Sequence, residues 1–80
     1  MERDAILEEV KRVFVDHLSI PEVSESTHLF QDLKLDSIQQ LTLVVELENR
    51  FRLRFEESDE KDIATVRDVV DVLSRRLAER

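Results

Sequence analysis

Asp36, Ser37 and Ile38 close the run DLKLDSI and open the most apolar stretch of the chain. A serine at that point is either the end of a helix or a chemical handle. Asp36 is a good N-cap acceptor, and Gln39 lies three residues on, where its side chain can reach back to complete a capping box. Ser37 then becomes the first helical residue, its hydroxyl projecting from the exposed helix end beside unpaired N–H groups and the positive pole of the dipole. Such surroundings favour a phosphate ester. A hydrolase would need more: His17 and His28 stand at no paired ligand or triad spacing, and no glycine is available to shape an oxyanion turn. His17 suits the dipole at a helix end and His28 a loop, so no catalytic residue and no metal ligand is assigned.

Composition removes further classes. The chain has no glycine, which excludes a P-loop, a dinucleotide-binding turn and a nucleophile elbow. With no cysteine there is neither a disulfide nor a thiolate metal site to reinforce a small core. A formal charge of -7 disfavours nucleic acid and anionic membrane, and suggests partners with basic patches. The absence of tryptophan and tyrosine leaves little to stack on bases or sugars. The start, MERDAILEEV, is acidic where a secretory signal is basic and then apolar, and LTLVVEL is too short to span a bilayer. A cytoplasmic protein without membrane insertion is expected.

The elements that must position Ser37 follow from periodicity. Ile6, Leu7, Val10, Val13, Phe14 and Leu18 recur at helical spacing between Arg3 and Leu18, and Pro21 ends that helix through its effect on Ile20. Ser19 to Lys34 reads as a long loop with isolated apolar anchors, delivering the chain to Ser37. A second helix runs from Ser37 to about Arg52. Ser58 is a candidate cap for a short helical piece, DEKDI, in an acidic segment (Glu56, Glu57, Asp59, Glu60) that reads as a solvated helix start. Thr65 with Asp68 caps a last helix to about Leu77, with Arg75 and Arg76 complementing its dipole. Phe14, Phe30 and Phe51 are expected in the core, while Phe55 is not assigned. The fold class is all-α: residues 1–80 form one domain, a small antiparallel bundle of three main helices plus one short helix, with a long loop between the first two. A monomer is expected.

The second helix has more apolar surface than one core contact needs. At roughly 100° per residue, Leu43, Val44, Leu47 and Phe51 share one arc. Ile38, Leu41 and Val45 form a second arc centred roughly 120° or more away, a candidate docking patch beside Ser37.

DLKLDSI, the apolar helix after it, the long loop before it, the acidic balance and the phrase VVELENRF together resemble the acyl carrier protein family over the whole chain. The resemblance implies that Ser37, preceded by Asp36, receives covalent 4′-phosphopantetheine from coenzyme A. The arm's thiol then carries acyl groups as thioesters, which suits a chain without a thiol of its own. Implied partners are a phosphopantetheinyl transferase and acyl-activating, acyl-transferring or condensing enzymes of fatty acid, polyketide or other secondary metabolism. The carrier itself is not an enzyme. Docking is implied for Ile38, Leu41 and Val45 with the acids Glu46 and Glu48. Ile38 replaces the family's leucine, and Lys34 stands where the family usually has glycine. Gln39, Gln40 and Thr42 occupy a stretch that is often acidic, and Arg50, Arg52 and Arg54 follow. These departures point to a specialised carrier that relies on apolar contact and offers a basic strip to an acidic partner. Two alternatives are an aminoacyl or peptidyl carrier with the same arm, and a helical interaction module in which Ser37 is only structural.

Overall fold

A computed structural model describes residues 1–79. Its helices are α1 (Arg3–Leu18), α2 (Ser37–Phe51), α3 (Glu57–Lys61) and α4 (Val66–Ala78). The domain is therefore all-α, three main helices and one short one, with no named strand among the described residues. Each long helix buries the stripe its periodicity sets. Ile6, Val10, Val13 and Phe14 face inward from α1, Leu43, Val44, Leu47 and Phe51 from α2, and Val66, Val69, Val70, Val72 and Leu73 from α4. α1 packs against both α2 and α4.

The chain turns without glycine. Ser19, Lys34 and Arg52 all take left-handed backbone angles, with φ of 57°, 53° and 55°. Ser19 and Arg52 are the C-caps of α1 and α2, where that conformation brings the chain out of the helix. Lys34 makes the bend that leads into α2.

The long loop is fastened rather than loose. Leu29 and Leu35 are buried, and Leu35 N–H donates to Leu29 C=O at 3.1 Å. His28 pairs with Thr65 in an isolated bridge, and Leu29 N–H donates to Ala64 C=O at 2.8 Å. Val66 N–H donates to Thr27 C=O at 3.0 Å and Arg67 N–H to Glu25 C=O at 2.9 Å. Loop carbonyls thus occupy the first two amides of α4, and Thr65 Oγ1 accepts from the third, Asp68 N–H, at 3.2 Å.

Three expectations are corrected. Phe30 is not in the core but exposed, because the turn around it sends its neighbour Leu29 inward. The short helix is capped by Glu56 and not by Ser58: the Glu56 and Asp59 carboxylates form a reciprocal box. The acidic segment around it is not wholly solvated either, since Asp59 is 2% exposed.

Candidate functional site

Ser37 is exposed at the first position of α2. What fixes it is local. Asp36 Oδ1 accepts from Gln39 N–H at 2.7 Å, and Gln39 Oε1 accepts from Asp36 N–H at 3.1 Å, which closes the capping box. Asp36 C=O takes Gln40 N–H at 2.9 Å. The amides of Ser37 and Ile38 remain, and among the described residues neither has a partner. Two free donors therefore flank the Ser37 hydroxyl at the positive end of a fifteen-residue helix. A phosphodiester on Ser37 Oγ fits this end: it meets donors, no carboxylate competes for those amides, and the hydroxyl is open to solvent. In contrast, the start of α4 has its amides filled by the loop and buried Val66 at its first position.

The approach to Ser37 is equally built. Asp32 Oδ2 accepts from His28 N–H at 2.7 Å, and His28 Nδ1 accepts from Phe30 N–H at 3.2 Å and Gln31 N–H at 3.0 Å. His28 is thus the acceptor that shapes the loop. His17 lies against Glu46, with Nε2 3.3 Å from Oε2.

The second arc of α2 lies on the surface beside Ser37: Ile38 is 74% exposed, Leu41 61% and Val45 40%. The acids expected with them have inward duties. Glu46 faces His17, and Glu48 Oε2 accepts from Phe55 N–H at 2.8 Å, holding the turn after α2. The anticipated basic strip is also partly engaged, since Arg50 pairs with Glu9 of α1.

On the inner side of α2, a narrow, mostly apolar seam is lined by Leu43, Val44 and Leu47 of that helix and by Phe55, Glu60, Ile63 and Val69. Gln40, one turn from Ser37, stands along it. The seam is almost closed: it leaves about 10 Å³ for a water-sized sphere, no more than one water needs. One of its walls is tied down by charge. Asp59 of α3 accepts from Arg75 at 2.8 Å and from Arg76 Nε at 2.9 Å, both on α4, and from Glu56 N–H at 2.9 Å. Burial pushes the Asp59 carboxyl up, but the Glu56 amide and the two guanidinium groups outweigh it and hold the group below the ordinary carboxylate range. Residue type alone placed Asp59 among solvated acids. The adjacent arginines late in α4, read as complements to its dipole, were the signal that could have found the partners of Asp59.

The family described as phosphopantetheine attachment site matches residues 8–73. The chain belongs to the phosphopantetheine-binding acyl carrier family. Its likeness to named carriers extends over nearly the whole length. The acyl carrier protein of Coprothermobacter proteolyticus is 33% identical over 79 residues, covering 96% of both chains. That of Thermosynechococcus vestitus is 32% identical and covers 98% of this chain and 99% of its own. The crystal structure of the acyl carrier protein from Thermotoga maritima superposes with a TM-score of 0.82 at 28% identity, covering 99% of this chain and 94% of that one. The family's prosthetic group, covalent 4′-phosphopantetheine, supplies the thiol that this cysteine-free carrier lacks. Among the described residues, no helix of the carrier is long and apolar enough to cross a membrane.

Proposed function

We propose that Ser37 is the attachment site of the arm and that the protein shuttles acyl groups, as thioesters on the arm's thiol, between successive partner enzymes. The observation that carries this reading is the placement of one exposed hydroxyl at a helix start whose first two amides are unpartnered. In loading, Ser37 Oγ bonds to the pantetheine-side phosphorus of coenzyme A and the adenosine bisphosphate half departs. The hydroxyl proton passes to a base of the transferase. The carrier contributes position: Asp36 and Gln39 fix the helix end, and the Ser37 and Ile38 amides face the anionic diester.

Ile38, Leu41 and Val45 form the docking patch read by the phosphopantetheinyl transferase and by acyl-activating, acyl-transferring or condensing enzymes, with Glu46 at its edge. Glu48 serves the fold first, through Phe55. A monomeric carrier working in the cytoplasm completes the reading. Intact mass after incubation with coenzyme A, magnesium and a promiscuous transferase tests it. The parent gains one phosphopantetheine and Ser37→Ala gains none. A folded parent that stays unmodified while a control carrier is loaded would overturn the assignment.

A further inference from the structure

The apolar seam has no room for a chain, so anything that enters must first move a wall. Two walls are poor candidates. α2 buries a four-residue stripe, and α4 buries five residues and is sewn to the loop by backbone bonds at its first two amides. The third wall is α3 with its flanks Phe55 and Ile63. α3 has five residues, and the one it buries is Asp59. A helix that short is not held by apolar burial of its own: Ile63 just after it is buried, and its charged attachment to α4 is the contact of Asp59 with Arg75 and Arg76, joined by Glu56 with Arg76. No buried polar side-chain atom among the described residues lacks a partner, so the clamp is complete when the seam is closed.

Taking Ser37 as the arm site, we propose that the Asp59–Arg75–Arg76 clamp is a latch on the seam, which sets how long an acyl chain must be before it moves inside. The balance is one of opposed increments. Each methylene that leaves water for the seam shifts the equilibrium inward about fourfold. The latch opposes all of them with one fixed term, so a threshold length results. Arg75 is half exposed and its share of the clamp is screened accordingly. Its loss shifts the balance about tenfold, which moves the threshold down by between one and two methylenes.

Two measurements test the latch. On the unmodified full chain, amide hydrogen exchange at Glu60, Asp62 and Ile63 should quicken about tenfold in Arg75→Gln, while α1 amides keep their parent rates and Arg75→Lys restores much of the protection. On protein loaded with butanoyl, hexanoyl or octanoyl arms, and verified by mass, hydroxylamine cleavage of the thioester is then timed. A latch predicts that Arg75→Gln shields the thioester at a shorter chain than the parent does, so its cleavage is slower. A merely structural clamp predicts cleavage that is equal or faster at every length, and that result overturns the proposal. Unchanged exchange at α3 in a protein that loads normally overturns the latch alone. A parent that takes no arm overturns the Ser37 reading, and the latch with it.

Discussion

Replacing Lys34 with glycine should stabilise the domain. Lys34 holds a φ of 53° just before the α2 capping box, and its side chain is exposed. An L-residue in this region costs about 1–2 kcal/mol, from the approach of its Cβ to the following carbonyl. Glycine removes that cost but makes the unfolded chain more disordered, which returns about 0.4–1 kcal/mol. At mid-range the net gain is therefore about 0.8 kcal/mol, or a rise in Tm of about 3–6 °C for a domain of this size. Lys34→Ala is the control: it keeps the Cβ and removes only the side-chain amine, so it should fall within about 0.5 kcal/mol of the parent. Urea unfolding followed by circular dichroism reads both variants, with an unchanged m-value as the condition for comparing them. Ser19, at φ 57°, offers a second site of the same kind, and the two glycines should add. Because Lys34 acts through its backbone, Lys34→Gly should also keep the parent rate of arm loading. A glycine variant less stable than the parent, or an alanine variant equally stabilised, would refute the account.

Asp36→Ala removes the acceptor for Gln39 N–H and should cost about 1 kcal/mol in urea unfolding, whereas Asp36→Asn should retain most of it. Loading by the transferase should slow in Asp36→Ala as the helix start frays. The lowered Asp59 pKa carries a defined sign. The unfolded group binds protons more readily than the folded one, so its contribution is complete above the ordinary carboxylate value of about 4 and is lost as pH falls through the lower folded value. Asp68, also lowered, acts in the same direction: burial pushes it up, but the Thr65 and Ala64 amides outweigh this. Urea midpoints between about pH 6 and pH 2.5 should fall less steeply in Asp59→Asn than in the parent; equal slopes would count against the clamp's charge. Leu41→Glu on the exposed arc should leave stability within about 0.5 kcal/mol while lowering the rate of transfer to a partner enzyme, as judged by stopped-time mass spectrometry. Unchanged transfer would remove Leu41 from the docking patch.

How much could be read from residues alone depended on the range of the interaction. The Asp36–Gln39 and Thr65–Asp68 boxes are three-residue contacts, and the stripes of α1, α2 and α4 repeat every three or four residues, so all were legible. The exposed arc of Ile38, Leu41 and Val45 was legible for the same reason, being the remainder of a helix whose other face is full. Asp59 was not, because its partners lie sixteen and seventeen residues away and its burial exists only once α3 has docked on α4. Glu48 looked like a surface acid, but the left-handed turn at Arg52 brings Phe55 N–H back to it. Phe30 was misplaced because hydrophobicity does not say which of two adjacent residues a turn will bury. The loop's attachment to α4 is made by backbone groups, which leave no mark in residue type.

The loop that fills the start of α4 also bears on how many arms one molecule can take. Two of the three long helices open with the same grammar, a capping box three residues long, and an enzyme that recognised only the capped end of a long helix would find two addresses. Carbonyls of Thr27 and Glu25 cover one of them, and a buried valine stands where the nucleophile would be. The chain thus offers a single address without encoding a longer signal around it. With Ser37 as the proposed arm site, one arm to one molecule is the expected stoichiometry, since the start of α4 is closed by the loop and has no hydroxyl at its first position.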